Sequence, residues 1–214
     1  SVFSTSNSFT IAAQPAIAIV APSSSTQWIT GQTASILWTA QGSAASGTVT
    51  ITLKHSSASD AVLTSTTSAS SGSYTVTTAQ TTAIVVRSGY TVHIVAGGIS
   101  ATSSSFSVHL PPNVEINDSN PSKCIIGSSC SIVFTTVGLV SNVKMTYYKG
   151  GTNGIVVSST NTSPYSWLVP GSLTEGNWNI RIEDVNDPNL ADVSLASCCF
   201  SIIIFSIIIH CSNN

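Results

Sequence analysis

Apolar and polar residues alternate with a period of two along most of the chain. Ile36 and Trp38, Val49, Ile51 and Leu53, Tyr74 and Val76, Val92 and Ile94, and Phe106 and Val108 are each separated by Ser, Thr, Lys or His. That period turns one face of an extended segment inward and the other to water, which predicts half-buried antiparallel strands. Turn chemistry falls between the runs at Gly42-Ser43, Ser71-Gly72, Gly97-Gly98, Gly150-Gly151, Asn153-Gly154 and Pro170-Gly171. No stretch carries a helical stripe, so the pattern predicts an all-β chain.

The alternation repeats. Trp28-Ile29-Thr30-Gly31, Ala34, Ile36 and Trp38 align with Cys124-Ile125-Ile126-Gly127, Cys130, Ile132 and Phe134 at a constant offset of 96. Tyr74 and Val76 correspond to Tyr165 and Trp167, and Tyr90-Thr91-Val92-His93-Ile94 to Trp178-Asn179-Ile180-Arg181-Ile182. Each copy closes on a strand, Ser105-Phe106-Ser107-Val108 and then Cys199-Phe200-Ser201-Ile202. A third closing strand, Asn7-Ser8-Phe9-Thr10-Ile11, stands at the front with no sandwich of its own. About 95 residues with six or seven short strands is the size and rhythm of an immunoglobulin-like sandwich. The expectation is therefore two tandem immunoglobulin-like antiparallel β-sandwiches, residues 15–110 and 111–205, joined at Pro111-Pro112. Residues 1–14 are an orphan strand, either donated or the end of a preceding repeat, and residues 206–214 are an apolar extension with a polar tail.

Composition narrows the partners. The 214 residues carry 6 Lys or Arg against 8 Asp or Glu, for a net charge of -2. With charge this sparse and no basic cluster, nothing would hold nucleic acid or an anionic membrane surface. Hydroxyls replace charge: 66 residues are Ser or Thr, a coat suited to covalent glycans. Asn117-Asp118-Ser119 and Asn161-Thr162-Ser163 are N-glycosylation sequons, the second followed by Pro164. The apolar run from Phe200 to Ile209 is too short for a spanning helix, which needs about 20 residues, and its isoleucines favour a strand. The opening residues lack a secretory leader, which fits a mature secreted chain or a piece of a longer one.

The five cysteines lie in the second half without metal-type spacing. Cys124 and Cys130 flank a five-residue segment that a disulfide could close, the other reading being two buried thiols. Cys198, Cys199 and Cys211 leave one thiol over for a link to another chain.

Two sets of residues carry a family resemblance. One is Pro22, Trp28, Gly31, Ile36 and Trp38; the other runs from Tyr165 through Trp167, Val169, Pro170, Leu173, Gly176 and Trp178 to Ile182 and on to the closing Phe-Ser-Ile. Both resemble the N-terminal domain of the fungal cell-wall β-1,6-glucan synthesis proteins of the Kre9/Knh type, found also in Ser/Thr-rich, lipid-anchored surface glycoproteins. The resemblance covers nearly the whole chain. It departs in the first copy, where Val76 stands without the Trp-x-Val-Pro stretch, and in the second, where Cys124 and Phe134 replace both tryptophans. It implies a secreted, glycosylated wall or surface module, and it brings no catalytic motif with it.

Candidate chemistry is thin. His93 and His109 point outward on consecutive strands and would form at best a two-ligand metal site. Glu183, Asp184 and Asp187 supply oxygens of the kind Ca²⁺ takes, though a solvated Asn/Asp turn explains them better. No G-x-S-x-G elbow or local carboxylate pair marks an enzyme. Trp38, Trp167 and Trp178 read as core, whereas Tyr147, Tyr148 and Trp28 are the candidates for an exposed sugar platform. The leading expectation is a non-enzymatic extracellular glycoprotein without cofactor that polymerises head to tail. In it Phe3, Phe9 and Ile11 are donated anchors, and Ile202, Ile204, Ile207 and Ile209 belong to the receiving edge. The alternative is a monomeric cell-wall module that binds or organises β-glucan.

Overall fold

The computed structural model describes residues 5–117, 123–193 and, as backbone, 200–203. The chain divides into two compact units, Ser1–Leu110 and Pro111–Asn214. Within the first, β1 (Ala16–Ala21), β3 (Ala34–Gln41) and β6 (Ser73–Val76) form one antiparallel sheet in the order β1-β3-β6. The second sheet runs β2-β9-β7-β4-β5, built from β2 (Gln27–Ile29), β4 (Thr48–His55), β5 (Ala58–Ser68), β7 (Arg87–Ala96) and β9 (Phe106–His109). β8 (Ile99–Thr102) pairs with the far half of β7, so β8 and β9 share one edge of that strand. The β2–β9 pair is parallel and all the others are antiparallel. A three-strand sheet facing a larger one, with a short parallel strand beside the last, is the immunoglobulin-like arrangement.

The alternation legible in the sequence is what closes the core. Ile36, Val49, Ile51, Val76, Val92 and Ile94 are fully buried, each at an inward position of its strand. Trp28, Tyr90 and Phe106 pack as a chain of rings, with centroids 4.6 Å apart for Trp28 and Phe106 and 6.2 Å for Tyr90 and Phe106. Trp38 of β3 joins the same core, and its indole Nε1 donates to the Ala69 carbonyl at 2.9 Å, which satisfies the polar end of a buried ring. A one-turn helix, α1 (Thr78–Thr82), lies outside what periodicity predicts. It is nucleated by a capping box, in which the Thr77 side chain accepts from Gln80 N and the Gln80 side chain accepts from Thr77 N.

The second unit repeats this plan, except that the place of β3 is taken by two shorter strands, so the smaller sheet becomes two pairs. β10 (Asn113–Ile116) pairs with β13 (Phe134–Val137), and β12 (Ser129–Ile132) with β16 (Tyr165–Leu168). The larger sheet runs β11-β19-β17-β14-β15, from β11 (Lys123–Ile125), β14 (Val143–Lys149), β15 (Thr152–Thr160), β17 (Gly176–Asp184) and β19 (Phe200–Ile203). β18 (Ala191–Val193) pairs with β17, and β11–β19 is again the parallel pair. Corresponding residues meet in both units although the offset between them drifts along the chain. Ala34 faces Val76 and Cys130 faces Trp167; Ile51 faces Ile94 and Met145 faces Ile182.

Asn153-Gly154, expected as a turn, lies inside β15; the reversal is made by Gly150-Gly151, with Gly150 at φ 58°. Gly154 sits opposite Tyr147 in the ladder, and a Cβ there would collide with the phenol ring. The glycine is therefore a packing requirement in a strand and not a bend.

Candidate functional site

Three features have the geometry to do something beyond holding the fold. The first is covalent. Cys124 on β11 and Cys130 on β12 form a disulfide, their Cα atoms 5.5 Å apart, at the positions that Trp28 and Ala34 occupy in the first unit. Cys198, Cys199 and Cys211 lie outside the described residues, as do Phe3, Ile204, Ile207 and Ile209.

The second is a concave pocket of about 640 Å³ on the outer face of the second unit's larger sheet. Lys144, Thr146 and Tyr148 alternate outward along β14, opposite to the buried Val143 and Met145. Ladder partners extend the face sideways: Ile155 and Arg181 flank Thr146, while Asn153 and Asn179 flank Tyr148. At one end Glu183 accepts from Lys144 Nζ at 2.8 Å and from Arg181 Nε at 2.9 Å, one cation on each carboxylate oxygen. The hydrogen bond from Lys144 holds the Glu183 carboxyl below its ordinary value near 4.5; burial opposes the shift, and Arg181 adds to it. Lys144 keeps two N–H donors beyond the one spent on Glu183. The face thus offers a half-exposed aromatic ring, amides, a hydroxyl and cationic donors with little net charge.

The third is an apolar groove of about 300 Å³ in the first unit, bounded by Leu53, Val62, Leu63, Ala83, Ile84 and Tyr90 between the β4–β5 hairpin and the segment after α1. Val62 and Val85 stand exposed at its rim.

The residues weighed as metal ligands are not brought together. His93 lies opposite Thr102, with Nδ1 3.0 Å from its hydroxyl, whereas His109 pairs with Ile29 beyond the Arg87 end of β7. Asp184 and Asp187 accept from the backbone N–H of Asn186 and Asn189, two residues on in each case, as Asx turns do. Glu183 is taken by its two cations. Among the described residues no three His, Cys, Asp or Glu side chains converge on a metal position.

The platform candidates separate. Trp28 is 3% exposed and belongs to the core, as do Trp38, Trp167 and Trp178. Tyr147 packs against Trp167 and Trp178 at 5.5 and 5.6 Å. Tyr148 alone of the three faces the pocket. Of the sequon asparagines, Asn117 and Asn161 are both exposed. Ser163 in the second sequon donates to the Phe134 carbonyl at 2.6 Å, and its oxygen accepts from Phe134 N at 3.0 Å. Ile202, expected on a receiving edge, lies in β19, which has β11 on one side and β17 on the other, so its backbone presents no free edge. Phe9 and Ile11 are 80% and 87% exposed on a segment that pairs with no strand among the described residues.

Two units of one Ig-like plan define an Ig-like β-sandwich module. Residues 21–110 match the family model of the Kre9/KNH-like N-terminal Ig-like domain. The second unit lies outside the matched residues. The family is associated with the fungal cell wall. No curated protein matches the chain.

Similar solved structures include the fibronectin(III)-like modules of Clostridium thermocellum CbhA, at 16% identity and TM-score 0.33, covering 88% of this chain and 94% of that one. Sidekick-1 immunoglobulin domains 1-5 are similar at 11% and 0.47, covering 89% of this chain and 38% of that one. Dpr2 Ig1-Ig2 in complex with DIP-Theta Ig1-Ig3 is similar at 11% and 0.48, covering 88% and 66%. These likenesses are too distant to add to what the sheet topology establishes. No helix among the described residues is long and apolar enough to cross a membrane.

Proposed function

We propose that the protein is a non-enzymatic, glycosylated structural module of a cell wall that binds or organises β-glucan. The match of residues 21–110 to the Kre9/KNH-like domain carries the reading. On this reading the hydroxyl-rich surface is the glycan coat: β5 alone exposes Ser59, Ser65, Thr66 and Ser68. The outer face of the second unit, with Tyr148 as stacking ring and Lys144, Asn153 and Arg181 as hydrogen-bonding rim, is where a polysaccharide strand would lie. The test is co-sedimentation of the purified chain with insoluble β-glucan. Retention that falls at least about tenfold in the Lys144→Ala, Tyr148→Ala double variant is the expected outcome, a loss of about 1.4 kcal/mol. No retention of the parent chain on β-glucan would overturn the reading.

A head-to-tail filament is the second reading, and it draws on the exposed Phe9 and Ile11. Light scattering would show a mass well above 22.0 kDa that collapses when residues 1–11 are removed. A monodisperse particle of single-chain mass would end it.

A further inference from the structure

The segment from Asn7 to Ile11 is the third occurrence of a strand whose place in the fold the structure shows directly. Ser8-Phe9-Thr10-Ile11 aligns with Ser105-Phe106-Ser107-Val108 and with Cys199-Phe200-Ser201-Ile202. In the first unit this strand, β9, is seated between parallel β2 and antiparallel β7, with Phe106 opposite Tyr90 and Val108 opposite Trp28. There Phe106 and Val108 are 2% and 1% exposed. In the second unit β19 is seated in the same way, between β11 and β17, with Phe200 opposite Trp178.

The joint after the strand is repeated as well. From Phe106 the chain runs His109-Leu110-Pro111-Pro112 and enters β10 at Asn113. From Phe9 it runs Ala12-Ala13-Gln14-Pro15 and enters β1 at Ala16. Counted from the phenylalanine to the next first strand the two stretches have equal length, His109 being the last residue of β9, and Pro15 stands where Pro112 stands. The half-buried Ile17 and Ile19 of β1 correspond to the buried Val114 and Ile116 of β10. One rule therefore relates a closing strand to the next unit's first strand in both places.

Both last-strand slots among the described residues are already filled, by β9 and by β19. Phe9 and Ile11 thus have the pattern of core residues and no core to enter. Two large apolar side chains two residues apart on one face of an extended segment are a strand edge awaiting a sheet.

We propose that residues 7–11 are the last strand of a third Ig-like unit of the same repeat, carried ahead of the first unit on the same polypeptide. Its slot consists of a short parallel strand on one side and an antiparallel strand with an inward Tyr or Trp on the other. Phe9 packs on that aromatic ring as Phe106 packs near Tyr90. The two units described are then consecutive members of an array, whose neighbours are linked by short joints ending in proline. Such an array would exist whatever its members bind.

The test is hydrogen exchange on the protein taken from its natural source, beside its mass under denaturing, reducing conditions after glycans are removed. The expected result is exchange of the Phe9 to Ile11 amides about 100-fold or more below the free-chain rate, comparable with Phe106 to Val108. It should occur in a polypeptide heavier than 22.0 kDa by roughly one unit or more. Free-chain exchange at these amides would overturn the proposal. Slow exchange in a polypeptide of 22.0 kDa would overturn the placement on the same chain and assign the strand to donation between chains.

Discussion

The two units share the strand order of the larger sheet and a parallel closing pair, yet they draw their largest core rings from different strands. In the first, the largest rings come from β2 and β3, as Trp28 and Trp38. In the second, those places hold Cys124 and Phe134, and the tryptophans sit on β16 and β17, as Trp167 and Trp178. The exchanges are compensated locally. Leu53 faces Ala61 across β4 and β5, and at the equivalent pair the larger Tyr147 faces Gly154. Trp38 N donates to the Gly72 carbonyl at 2.9 Å; at the corresponding place Phe134 N donates to the Ser163 hydroxyl oxygen. The topology thus depends on where the inward positions fall and on which backbone groups are satisfied, while the identity of each core residue is negotiable so long as its neighbours change with it.

The largest test of that comparison is to remove one ring from each unit. Trp38→Ala should destabilise the first unit by about 3–5 kcal/mol, and Trp167→Ala the second by a similar amount, read from urea midpoints. Losses under about 1 kcal/mol would show that these rings are not the anchors their burial suggests. Next is the bridge that stands in for Trp28. Closing a loop of about seven residues limits the unfolded chain by about 2 kcal/mol, so the Cys124→Ala, Cys130→Ala double variant should lower the second unit's stability by that amount. Reducing agent should have the same effect there and none on the first unit, whose residues include no cysteine.

The third test uses charge. Glu183 occupies the ladder position that Val95 fills in the first unit, opposite Lys144 where the first unit has Thr50. Its folded carboxyl titrates below the ordinary value, with Lys144 as the first cause. Such a group contributes stability that is complete above the unfolded value near 4.5 and is lost as the pH falls through the lower folded value. Glu183→Gln should therefore cost about 1–2 kcal/mol at pH 7 and less at a pH below the folded value, flattening part of the second unit's acid limb. An equal cost at both pH values would assign the loss to packing.

How much of the molecule was legible in the sequence depends on the information in each signal. A period of two and a shared motif order indicate which residues face inward and which strands correspond; that Cys130 pairs with Trp167 as Ala34 pairs with Val76 is what the structure adds. Turn residues are less decisive, because glycine serves both bends and close packing; Asn153-Gly154 is the second kind. α1 escaped a search for apolar stripes, since five residues hold no stripe; its signal was Thr77 and Gln80 at capping-box spacing. The separation of His93 from His109 depends on which half of β7 each partner strand occupies, which alternation does not report. The pocket beside Tyr148 likewise depends on how β14 pairs with its neighbours. β14 and β15 shift register around Met145, and no single residue announces that.

The smallest effect sharpens the same contrast between buried and exposed charge. Lys54 and Asp60 bridge β4 and β5 of the first unit at 2.8 Å, the distance found for Lys144 and Glu183 in the second. Geometry alone would rate the pairs alike. The environments differ: the Asp60 side chain is 50% exposed and that of Glu183 is 11%. Water and salt screen the first pair, and its two side chains lose rotamer freedom to hold one contact. A double-mutant cycle on Lys54 and Asp60 should give a coupling of no more than about 0.5 kcal/mol, vanishing in roughly 1 M salt. The cycle on Lys144 and Glu183 should give about 1 kcal/mol or more and persist, because Glu183 without its cations would keep a mostly buried charge. Equal couplings in the two units would mean that solvent reaches Glu183 as freely as Asp60, and the outer face of the second unit would then lose the fixed electrostatics on which its rim depends.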